Sequence, residues 1–293
     1  MTLRLTALTD PDPGPSARRA AWLATSGQGT PLGSAFLRLF SGAGQAHVAE
    51  LDIEVHPAER RRGVGSRLLA AAVDAARADG RRRVLGQAAS GSPGDAFCSA
   101  RGFRPVLTLV LARLPLDEAD FALLEAVADR AHPGYRLVSW EGSVPDVLAE
   151  SFTSARSAMD DMPTSEADFG TVTWDLDRVR GVAAAVASRG DVLHTVAAVD
   201  ESDGSVAGFT ELVVPGSGQG DGQHYGTAVR REHRGHGLGR WMKAASIRVV
   251  RDRHPALAGL VTDTADSNTY MMRINADLGY RPTSTSVEYQ LDL

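Results

Sequence analysis

The sequence is poor in cysteine and has no excess of positive charge, and both features exclude classes of protein. Its 293 residues include one cysteine, Cys98, so neither an internal disulfide nor a cysteine-based zinc site can form. The formal net charge of -5 gives no general reason to expect nucleic acid or an anionic membrane as a partner. No stretch is apolar enough to span a membrane, and residues 1–20 lack the apolar core of a secretory signal. We therefore expect a soluble, cytoplasmic protein, monomeric or homodimeric.

The composition is that of an ordinary globular chain with room for two domains. Domains usually contain about 100–200 residues, and this chain has 293. Apolar residues make up 43% and charged residues 23%, which argues against long disordered segments. Arginines are concentrated locally, at residues 60–62 and again at residues 230–234. Local clusters on a mildly acidic chain suggest a small anionic ligand.

One pattern of residues occurs twice. Residues 55–65 read V-H-P-A-E-R-R-R-G-V-G, and residues 229–239 read V-R-R-E-H-R-G-H-G-L-G. Both contain R-x-x-G-x-G five residues after a valine. An alternating segment before the first copy predicts a strand, and apolar residues at helical spacing after each copy predict a helix. Matching strand, helix and β-rich segments follow in both halves, which indicates an internal duplication.

The duplication predicts two domains joined by a connecting helix. We assign residues 1–115 to an N-terminal domain, residues 116–133 to the connection and residues 134–293 to a C-terminal domain. The second copy has two predicted helices near its start, at 144–158 and 174–188, which could wall a substrate pocket. The first copy has only a short helix candidate, around residues 16–24. The N-terminal domain is therefore expected to be the degenerate one.

The repeated loop is suited to hold a phosphate group. A strand, a glycine-rich turn and a helix place free backbone N–H groups and the positive end of the helix dipole together. The glycines remove side chains from the path of the phosphate, and arginines add charge-assisted bonds. The loop is neither a Walker loop nor a dinucleotide fingerprint, and the alternative for a single copy is a helix start with solvated arginines. The predicted contacts are Val55, Arg60, Arg61, Arg62, Gly63, Val64, Gly65 and Ser66 in the first copy, and Ala228, Val229, Arg230, Arg234, Gly235, His236, Gly237, Leu238, Gly239 and Arg240 in the second.

Two motifs resemble the GNAT superfamily of N-acetyltransferases. They are V-x-x-x-x-R-x-x-G-x-G in both halves and N-x-x-M-x-x-x-N-x-x-x-G-Y at residues 268–280, in a tandem arrangement similar to that of the mycothiol synthases. The resemblance implies an α/β fold of two tandem domains, each a mixed β-sheet flanked by helices. It implies acetyl-CoA as co-substrate, with the strand before the loop splayed from its neighbour to pair with the pantetheine arm. It further implies direct acetyl transfer to the primary amine of a small molecule, and a contact from Asn268, also a candidate helix N-cap, to the pantetheine amide.

Amine acetylation needs a general base, because only the deprotonated amine attacks. The resemblance implies a glutamate on the strand before the loop, or a water that it positions. Five residues before the strand-terminal valine stand Glu50 in the first half and His224 in the second. Glu50 shares one strand face with two other carboxylates, which is typical of a solvated face. Glu211, one strand over, is the rival base; both it and His224 could equally be ordinary strand residues.

The general acid is less clearly marked. The resemblance implies a tyrosine seven residues after Asn268, but Asn275 stands there, and Cys98 stands at the matching first-half position. Asn275 lies on the apolar stripe of its helix and must have a hydrogen-bond partner. It could steady the thioester or cap a neighbouring element. Tyr270 is the remaining candidate acid.

Two further features bear on ligands. Residues 155–168 carry Asp160, Asp161, Glu166 and Asp168, which could face a cationic amine or form an acidic surface loop. Histidines flank Arg234, but no third ligand stands at a recognisable spacing, so we expect no metal. We interpret the chain as an acetyltransferase whose C-terminal half catalyses. The alternatives are a non-catalytic acyl-CoA-binding sensor or regulator, and a binding protein with a vestigial fold.

Overall fold

The computed structural model describes residues 3–10, 17–161 and 167–293, which divide into two compact units. Unit 1 comprises Met1–Thr108, Thr164–Val172 and Thr285–Leu293, and unit 2 comprises Leu109–Pro163 and Thr173–Ser284. This grouping by contacts differs from a division at residues 115 and 134, because each unit includes a strand segment from beyond its own half of the sequence. The domain assignment from the sequence stays a prediction.

Unit 1 is built on a mixed sheet. Its elements are β1 (Leu3–Thr9), β2 (Ala17–Ser26), β3 (Pro31–Phe40), β4 (Val48–Val55), α1 (Val64–Ala78), β5 (Arg83–Ala89) and α2 (Pro93–Ala100). The first four strands are antiparallel neighbours, and β4 is parallel to β5. Residues 286–292, the later part of the last strand β12 (Arg281–Asp292), pair antiparallel with β5.

Helix α1 covers one face of this sheet because its apolar residues recur every three or four positions. Leu68, Ala72 and Ala76 are fully buried and share one cluster with Leu37 of β3 and Leu51 of β4. Glu50, Asp52 and Glu54 of β4 point to the other face and are exposed. The repeated loop therefore starts from a strand that is fixed on one side by a packed core.

The helix predicted around residues 16–24 is wrong, because residues 17–24 belong to strand β2, and Ser16 lies outside the described residues. Alanine and arginine are among the best helix formers, but the preference per residue is small and tertiary pairing overrides it. Strand β2 lies between β1 and β3 and pairs antiparallel with both, so its backbone groups are satisfied on both edges. The N-terminal half thus places strands, not a helix, before the repeated loop.

Unit 2 has a second mixed sheet with helices on both faces. Its elements are β6 (Arg104–Pro115, from residue 109), α3 (Phe121–Ala128), β7 (Tyr135–Glu141), α4 (Asp146–Arg156), α5 (Leu176–Ser188), β8 (Val192–Asp200), β9 (Val206–Val214), β10 (Gly220–Val229), α6 (Leu238–Arg253), β11 (Leu257–Ala265) and α7 (Thr269–Asp277). The strand order is β6-β11-β10-β9-β8-β7, and only β10 and β11 are parallel. The predicted α/β fold with mixed sheets flanked by helices is confirmed.

The two faces of the unit 2 sheet are covered by different helices. On β9, Leu212 and Val214 join the cluster built on α6, whereas Phe209 joins the cluster built on α4. Side chains alternate between faces along a strand, so Glu211 lies on the α4 face. No helix in the described part of the chain is long and apolar enough to cross a bilayer.

Candidate active site

In each unit, the strand before the repeated loop separates from its parallel neighbour. Strand β10 pairs with β11 only through residues 220–223 and then continues to Val229 without that partner. In the same way, β4 pairs with β5 only through residues 48–50 and continues to Val55. The splaying implied by the resemblance is therefore present twice. It leaves backbone donors and acceptors on the open edge of each strand.

A β-bulge lies where β10 leaves β11. His224 is opposite Leu212 of β9 and Gly226 is opposite Glu211, so Tyr225 is the extra residue. A bulge bends its strand and redirects the neighbouring side chains, and bulges are frequent beside active sites. The bulge thus places Glu211 next to the point at which the two parallel strands diverge.

The helices after the two loops begin without a side-chain cap. Helix α1 follows Gly63 and α6 follows Gly237, both left-handed with φ of 84° and 77°. Their first N–H groups remain available to an anion. The helices α2, α3, α5 and α7 are each capped by a side chain, from Ser92, Asp120, Asp175 and Asn268 respectively, whereas α4 begins after Pro145 without one.

The two loops also hold their arginines in the same way. Arg60 Nε donates to the carbonyl of Val55 at 3.3 Å, and Arg234 Nε donates to the carbonyl of Val229 at 3.0 Å. This contact holds each guanidinium at the loop through its Nε and leaves the two terminal nitrogens available to bind other partners. In unit 2 one of them, Arg234 Nη2, donates to Asp161 at 2.7 Å.

The loop of unit 2 borders a pocket of about 350 Å³. Nine predicted residues line it: Ala228, Val229, Arg234, Gly235, Gly237, Leu238, Gly239, Asn268 and Tyr270. The side chain of Asn268 accepts a bond from the N–H of Met271 at 3.1 Å, so its predicted role as N-cap is confirmed. Its contact to pantetheine stays a prediction.

Three other predicted residues of this loop point to partners of their own. Arg230 pairs with Glu232 at 2.6 Å, and Arg240 pairs with Asp277 at 3.8 Å. The carbonyl of His236 is bonded to the ring of a histidine, His132, at 3.0 Å. None of the three lines the pocket. Among the residues that the structure describes, no three His, Cys, Asp or Glu side chains are grouped to hold a metal ion.

Glu211 is held in a buried ion pair. Arg156 Nη1 of α4 donates to its Oε2 at 2.5 Å, and the two side chains are only 6% and 5% exposed. The guanidinium also lies 4.1 Å from the ring centre of Trp174. Burial raises the pKa of Glu211 above its ordinary value, while the charge and hydrogen bond of Arg156 act in the opposite direction. Glu211, which is not one of the residues that line the pocket, is therefore a carboxylate in a dry environment whose charge is compensated by Arg156.

The other candidate base, His224, is on the opposite face of the sheet. Its Nε2 is 2.7 Å from the hydroxyl of Tyr280, and both side chains are buried. Burial, with the charge of Lys243 added, holds the pKa of His224 well below its ordinary value. The side chains of Glu211 and His224 therefore lie on opposite faces of the sheet, and burial favours the neutral form of the imidazole.

Asn275 also lies away from the pocket, in a buried polar cluster. Its Oδ1 accepts from Lys243 Nζ of α6 at 2.7 Å, and its Nδ2 donates to Thr264 Oγ1 at 3.0 Å. Burial lowers the pKa of Lys243 from 10.5 to about 7, against the opposing charge of Asp263. The amide of Asn275 is thus used to bind other elements of the fold. Tyr270, at the pocket, is 62% exposed.

The acidic segment is used mainly for internal pairing. Asp161 pairs with Arg234 and Arg231, and Asp168, in unit 1, pairs with His47 and Arg83. Glu166 lies outside the described residues. Within the described part of this segment, these two carboxylates have cationic partners from the protein itself.

The loop of unit 1 has the same backbone path but different surroundings. Arg61 adopts a left-handed φ of 63°, Arg62 pairs with Glu59 at 3.1 Å, and the hydroxyl of Ser66 accepts a bond from Arg101. Val64 is the first residue of α1. Gly65 packs closely against Phe97, since a Cβ at this position would be 3.4 Å from the ring. Glu50 is bonded to Arg38 at 3.4 Å on the exposed face.

Arg156 and Lys243 are the residues that sequence reasoning missed, although a signal for each existed. Arg156 falls four residues after Phe152 and eight after Leu148, on the buried stripe of α4. Lys243 falls four residues before Ile247 on the buried stripe of α6. A charged residue on an apolar stripe needs a buried partner, which is a detectable feature of a sequence.

Comparison with known proteins gives the same assignment twice along the chain. The profile of the acetyltransferase (GNAT) family matches residues 8–103 and again residues 161–280. Mycothiol acetyltransferase of Tsukamurella paurometabola is 28% identical over 204 residues, which are 68% of this chain and 64% of that protein. The chain therefore matches slightly less than two thirds of the length of this relative.

Solved structures show the same architecture. A tandem GNAT protein from the clavulanic acid biosynthesis pathway superposes with a TM-score of 0.81 and 25% identity, covering 99% of this chain and 98% of that one. A GCN5-related N-acetyltransferase from Sphaerobacter thermophilus has a TM-score of 0.70 and 16% identity over 93% of this chain and 80% of its own, which supports the fold alone. Because the family profile matches more than half of its length, in both halves, this chain belongs to the acetyltransferase (GNAT) family.

Proposed function

We propose that unit 2 transfers an acetyl group from acetyl-CoA to the primary amine of a small molecule. The observation that carries this proposal is the pocket at the divergence of β10 and β11. There the open strand edge, the uncapped start of α6, Arg234 and Asn268 border one cavity of about 350 Å³. Each of these features is suited to a different part of an acyl-CoA.

The residues of the pocket fit the chemistry of that cofactor. The N–H groups at the start of α6 and the guanidinium of Arg234 suit the diphosphate. Gly235 and Gly237, with φ of 85° and 77°, keep the backbone of the loop free of side chains. The unpaired edge of β10 beyond Gln223 can add backbone bonds to an amide-containing arm, as an added strand would. When bound, acetyl-CoA supplies a thioester whose acyl carbon is open to attack.

We assign the general base to Glu211. Glu211 is paired with Gly226 of β10, directly after the bulge, and burial raises the pKa of its carboxyl toward the range useful for proton transfer. Glu211 would take the proton from the ammonium, either directly or through a water. The amine nitrogen then bonds to the acyl carbon, the carbon–sulfur bond breaks, and the sulfur leaves with the electron pair. Tyr270, at the pocket, or solvent would return a proton to the thiolate.

The proposal is tested by binding and by thiol release. Saturating acetyl-CoA should raise the melting temperature, because a ligand that binds only the folded state adds about 2.7 kcal/mol at a hundredfold excess over Kd. A panel of polyamines, amino sugars and aminoglycosides should include an acceptor that releases free CoA thiol. No thermal shift would remove acetyl-CoA from the assignment. A shift without thiol release across the panel would favour the acyl-CoA sensor.

A matched pair of variants locates the site. Gly237→Leu should weaken acetyl-CoA binding by about a hundredfold, because the side chain would intrude where one or two charge-assisted bonds form. Gly63→Leu makes the same change at the matching glycine of unit 1, where φ is 84°. It should leave turnover intact. Equal loss of turnover in a folded Gly63→Leu protein would show that catalysis does not belong to unit 2 alone.

A further inference from the structure

A short turn after α4 brings a carboxylate onto the arginines of the unit 2 loop. The 3-10 turn Ser157–Asp161 ends at Asp161, whose Oδ2 accepts from Arg234 Nη2 at 2.7 Å. Its Oδ1 accepts from Arg231 Nη2 at 3.3 Å. These hydrogen bonds, that of Arg234 foremost, hold the pKa of Asp161 below its ordinary value, so the group is ionised at neutral pH. One carboxylate thus bridges two guanidinium groups of the phosphate loop.

The turn is part of the wall of the pocket. Ala158 and Asp161 line the cavity together with the loop and the end of β10. Met159, between them, packs against β10: its Cε would stand 2.8 Å from a Cβ placed on Gly226. The position of Asp161 is therefore fixed by packing as well as by charge, and the carboxylate faces the site proposed for the diphosphate.

We propose that Asp161 is a specificity residue that competes internally with phosphate groups for Arg231 and Arg234. This inference rests on the proposed function of the pocket. In the ligand-free protein, the carboxylate already neutralises part of the positive charge that would attract any anion. A small phosphate ion must displace it and gains few other contacts. A CoA thioester also has the start of α6 and the edge of β10 as partners, so it can overcome the competition.

The test compares two neighbouring carboxylates. Asp161→Asn should bind acetyl-CoA about two- to tenfold more tightly, the range for one partly exposed charge pair. The affinity of this variant for inorganic diphosphate should rise by at least the same factor. Diphosphate should then compete with acetyl-CoA at lower concentrations than in the natural protein. Asp160→Asn removes the same charge one residue earlier, on an exposed side chain, and should change neither affinity beyond about twofold. The gain should shrink in high salt, because exposed charges are screened.

The possible results separate this inference from the proposed function. If the natural protein binds acetyl-CoA but Asp161→Asn binds it equally or more weakly, Asp161 merely orients the arginines and the inference is overturned alone. If the natural protein does not bind acetyl-CoA, both are overturned. In a background of Arg231→Gln and Arg234→Gln, Asp161→Asn should have no effect on diphosphate affinity. A gain that persists there would show that the carboxylate acts by general repulsion, not by competition for these arginines.

Discussion

The two units share one strand–loop–helix motif, but a carboxylate on the strands before the loop is exposed in unit 1 and buried in unit 2. In unit 1, Glu50 pairs with Arg38 at 3.4 Å, and the side chains are 47% and 51% exposed. In unit 2, Glu211 pairs with Arg156 at 2.5 Å, and neither side chain is more than 6% exposed. The difference arises before the loop, because unit 2 has the helices α4 and α5 between its strands β7 and β8, whereas in unit 1 only residues 10–16 separate β1 from β2. A phosphate loop can thus be duplicated without duplicating a site for proton transfer.

The largest expected effect comes from breaking the buried pair. Glu211→Gln should lower the free energy of unfolding by about 3–5 kcal/mol, because it leaves the charge of Arg156 buried without a counter-ion. Glu50→Gln, the same substitution at the exposed pair of unit 1, should change it by no more than about 0.5 kcal/mol, since exposed pairs contribute little. Denaturant unfolding of both variants measures the contrast. Similar small effects in both would mean that water enters the site around Glu211.

A double variant separates stability from chemistry. Replacing Arg156 by Met together with Glu211 by Leu should restore most of the stability, because apolar residues of similar size often replace a buried pair without loss. The same protein should remain about 10²–10⁴-fold slower in acetyl transfer if Glu211 is the general base. Turnover at the natural rate in this variant would rule out that role.

A second difference between the units lies beneath the helix that follows the loop. The repeat places Leu69 of α1 where α6 has Lys243, and Cys98 where α7 has Asn275. In unit 1 the two side chains, of Leu69 and Cys98, are apolar or nearly so. In unit 2 the buried amine of Lys243 is bonded to the amide of Asn275 at 2.7 Å. Since the pKa of Lys243 is lowered from 10.5 to about 7 in the folded protein, the unfolded chain binds one more proton between these pH values. The free energy of unfolding must therefore rise with pH in this window.

From pH 7 to pH 9, Lys243 should contribute about 2 kcal/mol to this rise. The double variant Lys243→Leu with Asn275→Cys converts the pair to that of unit 1 and should remove this contribution. Urea unfolding of both proteins at the two pH values gives the comparison, and groups that titrate in both proteins cancel. An unchanged pH dependence in the variant would show that the amine is solvated or keeps its proton throughout.

Much of the architecture was accessible from the sequence because it depends on local patterns. The duplicated loops, the helices after them and the cap at Asn268 follow from spacing and capping rules. Strand β2 did not, since pairing with two neighbours decided its conformation. The partner of Arg156 was also inaccessible, because Glu211 is 55 residues away and only the packing of α4 on β9 joins them. The sequence around Asp161 is typical of an acidic surface loop, and its ion pair with Arg234 is evident only from the structure.

The smallest expected effect concerns the backbone of the two loops. Within the described residues, Arg61 is the single non-glycine residue with positive φ, at 63°. The repeat places it where unit 2 has Gly235, whose φ is 85°. A side chain in the left-handed region costs about 1–2 kcal/mol, whereas glycine adopts it freely.

Arg61→Gly should therefore stabilise unit 1, but by less than the full cost of the left-handed conformation. Glycine makes the unfolded chain more flexible, which offsets about 0.4–1 kcal/mol, so a net gain of about 0.5–1 kcal/mol is expected. The reciprocal change, Gly235→Arg, should destabilise unit 2 by about 0.5–1 kcal/mol, with the same offset in the opposite direction, and should also place a side chain at the pocket. Denaturant unfolding measures both, and acetyl-CoA affinity should fall only in Gly235→Arg. If Arg61→Gly instead destabilises the protein, the arginine side chain makes contacts worth more than its strain, and the loop of unit 1 depends on arginine at a position where that of unit 2 depends on glycine.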